Sequence, residues 1–238
     1  MKKMFGRRFS PDVRDQGFLM RRRLPVVGTV MPSRKTWAIK PTALDQGRTG
    51  TCVGHAWANF LRCAPIQSNA GIDTLRWQIY DAATQIDEWT DNDGDTKREM
   101  GTSVRAGAQA VTDMSRLKSF LFAFDLATAL EWVLLQGPVV LGVNWYSSMF
   151  KPDAKGIVAI KPTDRVEGGH AFLWRGADTR RALAWCCNSW GDDWGLSGNF
   201  AISFRDLERL IHENGEACAA TEMKLAPKVA VPPVPKEE

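Results

Sequence analysis

At Gly137-Pro138 the spacing of apolar residues switches from three-and-four to alternating or continuous short runs, which restricts the chain to folds that lay down helices and sheet in separate blocks. Before the switch, Val53, Ala56, Trp57, Phe60 and Leu61 fall at i, i+3, i+4, i+7 and i+8. That spacing predicts a helix from Cys52 to near Cys63, which Pro65 cannot continue. A second helix is expected over 74–88, followed by a polar loop at 91–97. Thr102 is expected to cap a third helix that buries Val104, Ala108 and Val111, and Asp125 a fourth that runs to Gln136. After the switch, runs at 139–144, 171–175, 182–188 and 199–204 predict strands, and 205–212 a last helix. The fold class is therefore α+β, with a helical lobe over about 45–136 and a β-rich lobe over about 137–224.

The flanks differ from this body. Residues 1–24 form a basic arm: its first 23 residues hold eight Lys and Arg against Asp12 and Asp15, a local +6 that leaves −2 on the other 215 residues of a chain with net charge +4. Pro11 in the arm and Pro25, Pro32 and Pro41 after it suit an extended segment wrapping the body. Its charge is read as solvated, with attraction to nucleic acid or an acidic surface as the weaker alternative. The ten Trp are scattered rather than interleaved with Lys and Arg on one stripe, so nothing else points to nucleic acid. Residues 225–238 are expected to be a loose Pro-rich tail. No window approaches the ~18 apolar residues of a membrane span, and the basic start has no apolar stretch behind it. A cytoplasmic location or delivery inside a particle is expected.

Five Cys, at 52, 63, 186, 187 and 218, lack the pattern of a disulfide scaffold, and with three His and no CxxC pair there is little from which to build a zinc site. Adjacent Cys186 and Cys187 should point to opposite faces of a strand and pack in the core. Asp91, Asp93 and Asp95 around Gly94 faintly resemble a calcium loop, but the closing Glu is misplaced. No metal or organic cofactor is expected.

The chemistry gathers elsewhere. The turn-rich loop Asp45-Gln46-Gly47-Arg48-Thr49-Gly50-Thr51 delivers Cys52 to the start of the first helix, where free N–H groups and the helix dipole favour thiolate. Gly168-Gly169-His170-Ala171 sets a His at the start of an apolar strand, behind two glycines that let a substrate backbone come close. Asn188-Ser189-Trp190-Gly191 ends the next strand, where an amide can accept from the imidazole and a Trp can shield that bond from water. His55 lies three residues after Cys52 with no evident orienting partner and is expected to be a packed residue.

These blocks, in this order, resemble the papain-like cysteine peptidases, more specifically their compact bacterial and phage-type members. Trp194-Gly195 and Gly198 extend the Asn block, and Gly101-Thr102-Ser103-Val104-Arg105 forms a weaker fourth match. The resemblance covers about residues 25–224 and implies a two-lobe peptidase domain, the helical lobe carrying Cys52 and the β-rich lobe His170 and Asn188. It implies an endopeptidase with Cys52 as nucleophile, His170 as acid and base, and Asn188 orienting it. Gln46 and the Cys52 backbone N–H would hold the oxyanion, with Trp190, Gly169 and Ser189 in support. A peptide or protein substrate would lie between the lobes.

The chain departs from the family pattern in places. Thr49 stands where the family carries a disulfide partner, Val53 where it carries an aromatic, and 118 positions separate Cys52 from His170, fewer than in long members. No folded inhibitory prodomain is expected ahead of Gln46; the arm is read either as a short pro-segment with Arg21-Arg22-Arg23-Leu24 as a self-cleavage site or as an uncut solvated arm. Two other readings remain open: an acyl transferase or amidase using the same thioester, and a binding module that keeps the cleft without turnover. A transglutaminase-type enzyme is disfavoured because Asn, not Asp, follows the His. Substrate preference and oligomeric state are not legible.

Overall fold

The computed structural model describes residues 4–24, 30–40, 42–87 and 98–221. The acidic run 91–95 and the tail 225–238 lie outside them. Among the described residues there are five α-helices, three short 3-10 helices and eight strands. Helix α1, Cys52–Arg62, is buried along its whole length, so the amphipathic pattern understates its central place. Helices α2, Ile72–Ile86, and α3, Val104–Asp113, pack around it. The cap of α3 is Ser103, whose hydroxyl accepts from the Ala106 N–H. Thr102, the expected cap, instead donates its hydroxyl to the Asp87 carboxylate at 2.6 Å. Helix α4, Leu126–Leu135, starts as expected at Asp125, which accepts from both the N–H and the hydroxyl of Thr128. Helix α5 is Phe204–His212.

One sheet takes all eight strands: β1 Arg34–Thr36, β2 Ser119–Ala123, β3 Val139–Tyr146, β4 Ile157–Val158, β5 Val166–Asp178, β6 Leu183–Cys187, β7 Asn199–Ser203 and β8 Glu216–Thr221. Their order is β2-β8-β3-β5-β6-β7-β4, with β1 added to the far end of β5, and only β4 and β7 pair in parallel. The expected strands are all present, and β1, β2, β4 and β8 join them. The division into lobes is less clean than the sequence suggests, because β2 and α4, from the helical half, pack with the sheet.

Alternation along the strands builds two cores. Val140, Ala171, Leu173, Cys187 and Cys218 face α1, α2 and α3, whereas Leu141, Phe172, Trp174, Cys186 and Ala217 face α4 and α5. Cys186 and Cys187 thus serve opposite cores, as adjacent strand residues must, and all five Cys are buried and outside any disulfide. No helix among the described residues is long and apolar enough to cross a membrane.

The basic arm wraps the body, and the expectation of a solvated charge holds for Arg14 and Arg21 to Arg23 but not for Arg7. Met20 is wholly buried in the sheet-side core, and the Phe122 N–H donates to the Phe18 carbonyl at 2.6 Å. Arg105 of α3 holds Asp12 at 3.1 Å and also pairs with Asp15. Arg7 is 6% exposed and bonds to Glu216. Arg21, Arg22 and Arg23 remain exposed on a 3-10 turn beside Met20. Where the arm's charge is buried it is paired, Arg7 with Glu216 and Asp15 with Arg105, which lowers the cost of burying it.

Candidate active site

The loop before α1 and the loop after β6 are tied together. Gln46 N–H donates to the Ser189 carbonyl at 2.9 Å, and Gly191 N–H to the Leu44 carbonyl at 3.1 Å. Asp45 accepts the Gly47 N–H in a turn that puts Gly47 at φ 63°, a conformation suited to glycine. Gln46 is thereby held with its amide fixed: Oε1 accepts from the Ser189 hydroxyl at 2.8 Å, while Nε2 donates to the Thr49 carbonyl at 2.7 Å and to the Met4 carbonyl at 3.2 Å.

Residues far apart in sequence converge beside it. The Cys52 sulfur, at the first residue of α1, accepts backbone N–H groups from Ala171, Gly6 and Val53. Ala171 follows His170 on β5, so the strand brings the imidazole to the helix start. His170 Nε2 lies 2.7 Å from Asn188 Oδ1. The Ser189 N–H donates to that same oxygen at 2.8 Å, which identifies it as the acceptor and places the imidazole proton on Nε2. Nδ1 is then the basic nitrogen. Trp190 lies over the ring at 4.8 Å and Trp145 meets it edge-on at 5.0 Å, and His170, Asn188 and Trp145 are fully buried. Shielding of this kind strengthens a polar pair.

The arm runs directly across these groups. Besides the Met4 carbonyl on Gln46 and the Gly6 N–H on Cys52, the Arg7 N–H donates to the Gly169 carbonyl at 2.9 Å. Thr102 N–H donates to the Gly6 carbonyl at 2.7 Å and Arg8 N–H to the Thr102 carbonyl at 3.0 Å, a parallel bridge. Phe5 packs against Phe150, Trp190 and His170. Two glycines permit the approach: a Cβ on Gly6 would sit 1.6 Å from the Gly50 carbonyl oxygen, and one on Gly169 would sit 2.1 Å from the Arg7 carbonyl oxygen. At Gly169 the backbone that comes close is the arm's own, at Arg7.

Burial pushes the Cys52 thiol up to about 11, outweighing the three N–H donors that pull it down. The thiolate expected at the helix start is therefore not the resting form while the arm covers it. Glu216, which the sequence reading did not single out, is pushed up to about 7 by burial, with the Arg7 guanidinium pulling the other way. Among the described residues no cluster of His, Cys, Asp and Glu is able to hold a metal ion.

His55 is packed, as expected: Nδ1 lies 3.0 Å from the Thr51 carbonyl and the ring meets Trp77 edge-on. Burial pushes it down to about 4, with Arg76 adding to the effect and Asp45 opposing it. The folded protein keeps this ring neutral to about pH 4, whereas the unfolded chain protonates it near 6.5. Stability is therefore full above pH 6.5 and falls as pH drops toward 4, by about 3 kcal/mol from this residue. Urea midpoints of wild type and His55→Gln, compared at pH 7 and pH 4.5, should show a clearly shallower loss in the variant; parallel losses would refute it.

Comparison with known proteins places the fold and the family. Xylellain, a cysteine protease from Xylella fastidiosa, superposes with a TM-score of 0.69 at 18% identity, covering 92% of this chain and 96% of that one. Procathepsin L2 from the larval midgut of Tenebrio molitor gives 0.62 at 16% identity, covering 92% of this chain and 78% of that one. At these identities the likeness speaks for the fold. No curated protein matches the sequence. The family described as papain family cysteine protease matches residues 43–225, most of the chain, and the protein belongs to that family of cysteine peptidases.

Proposed function

We propose that in this cysteine endopeptidase Cys52 is the nucleophile, His170 the base and then the acid, Asn188 the residue that orients His170, and Gln46 Nε2 with the Cys52 N–H the oxyanion site. Trp190 shields the His170–Asn188 pair, Ser189 fixes the Gln46 amide, and Gly169 admits the substrate backbone. The observation that carries this reading is the extended segment from Met4 to Arg7, which lies in the cleft as a peptide would, with a carbonyl on Gln46 and an amide on the thiol.

In the reaction, His170 Nδ1 takes the Cys52 proton as sulfur attacks the scissile carbonyl carbon. The developing oxyanion accepts from Gln46 and the Cys52 N–H. As the C–N bond breaks, the proton passes from His170 to the leaving amine, and a thioester remains. Water, giving its proton to His170, hydrolyses the thioester and restores the thiol.

The arm is then an occluding segment, since Gly6 turns an N–H rather than a carbonyl carbon toward the sulfur. A reducing compartment suits five buried, unbridged cysteines. The test is labelling with a thiol-directed epoxide near neutral pH, read by mass spectrometry on wild type, Cys52→Ala and His170→Ala. The expected result is a single slow label, on Cys52, lost in both variants, and the same spectra show whether residues 1–23 are shed. Equal labelling of several cysteines, unchanged without His170, would refute the assignment.

A further inference from the structure

Of the arm residues crossing the cleft, Arg7 alone delivers a long side chain into full burial. Its guanidinium reaches Glu216 of β8 through Nε at 3.0 Å and Nη2 at 2.8 Å, and Nη2 also donates to the Asn214 carbonyl. Glu216 is itself 4% exposed. Across the sheet it is paired with Gly142 of β3, whose missing side chain makes the room: a Cβ there would lie 3.1 Å from the Arg7 Cγ, 3.0 Å from its Nε and 2.5 Å from a methyl of Val104. The result is a buried space, filled by the Arg7 side chain beside Val104 and Gly142, with a carboxylate and a carbonyl at its base. It opens beside Gly169, whose carbonyl takes the Arg7 main chain one residue along from the amide that sits on the Cys52 sulfur.

A carboxylate in that position is costly unless a cation joins it, and uncovering the cleft removes the one it has. Any peptide that replaces the arm along the Thr102 and Gly169 carbonyls must put a side chain, or nothing, into this pocket. We propose that Glu216 is the specificity-determining residue of the peptidase and that its substrates carry arginine or lysine in the pocket now filled by Arg7. The inference rests on the catalytic assignment above and adds the substrate class. Arginine fits better than lysine, because a fork of donors can serve the carboxylate and the Asn214 carbonyl together. The chain's own exposed Arg21, Arg22 and Arg23 form a sequence of the required kind.

The experiment uses the full chain with Gly6→Ala, which leaves no space for the arm beside Gly50, and the same chain with Glu216→Leu or Glu216→Gln added. Each digests a peptide library of natural sequences, cleavage sites are read by mass spectrometry, and melting temperatures confirm folding. With Gly6→Ala alone, Arg and Lys should be enriched at least tenfold at one position within three residues of the cut. Paired fluorogenic peptides differing only by Arg or Leu at that position should differ at least tenfold in kcat/KM. Glu216→Leu should invert that ratio, and Glu216→Gln, which keeps shape but not charge, should bring it near one. A basic preference that survives both changes, or no basic preference with Glu216 intact, overturns the proposal, the pocket then being a latch for the arm alone. Absence of all cleavage overturns it too, and epoxide labelling of Cys52 separates that case: unlabelled, the catalytic assignment fails with it; labelled, the failure belongs to the proposed substrate class.

Discussion

Replacing Gly6 by Ala should raise the rate at which Cys52 is alkylated at pH 7 by roughly 10- to 100-fold, the equivalent of the 1–3 kcal/mol typical of an overpacked site. The added methyl would lie 1.6 Å from the Gly50 carbonyl oxygen and 2.2 Å from its carbon. Both are backbone atoms of the loop that enters α1, so no side chain can swing aside. The arm between Met4 and Arg8 must leave, although Met20, Asp12 and Asp15 still anchor its later part. Two effects then add. The thiol, wholly covered at present, becomes accessible, and water reaching it removes much of the burial that holds it near 11, while the Val53 and Ala171 donors stay. Peptide hydrolysis should rise with alkylation, and the melting temperature should fall by only a few degrees. An unchanged alkylation rate would show that the arm does not cover the thiol in solution.

The difference between what could be read from the chain and what could not is physical. Helices α1 and α4 are legible because their apolar period and their stops or caps lie within a dozen residues of each other. Strand β8 is not: its Ala217, Cys218, Ala219 and Ala220 are small and buried on both faces, so no alternation marks them. Strands β1 and β4, of three and two residues, are too short to carry a period. In the site, Gln46, Cys52, His170 and Asn188 each sit at a junction that turn chemistry reveals, and they come with neighbours in fixed order. Glu216 has no such local signal. Its meaning comes from a register with Gly142 and a partner 209 residues away. The arm misleads for a related reason. Its cleft contacts are mainly main-chain hydrogen bonds, which leave no mark in side-chain composition, and Arg7 looks like the exposed Arg21 to Arg23 until its acid, Glu216, is located. Gly6, between Phe5 and Arg7, is the single trace of the tight passage.

Once the cleft is open, Cys52→Ser and His170→Ala should each lower kcat/KM for peptide hydrolysis by at least about a thousandfold, and the double variant should lose little more. The non-additivity follows from the chemistry: a serine hydroxyl without a base, or a thiol whose proton has no acceptor, fails at the same step. Asn188→Ala should cost less, on the order of 10- to 100-fold, because it removes the orienting acceptor rather than a reacting atom. Asn188 Oδ1 now accepts from both His170 Nε2 and the Ser189 N–H. Without it the imidazole loses the partner that keeps its proton on Nε2, and part of the population presents N–H rather than a lone pair to the thiol. The loss should therefore fall mainly on kcat, with KM held by the Thr102 and Gly169 backbone contacts that Asn188 does not touch. It should also change the acid limb of the pH profile, which reports protonation of the His170 and Cys52 pair. If Asn188→Ala instead raised KM alone and left the pH profile in place, Asn188 would be a structural support of the cleft wall and the orientation role assigned to it would be wrong.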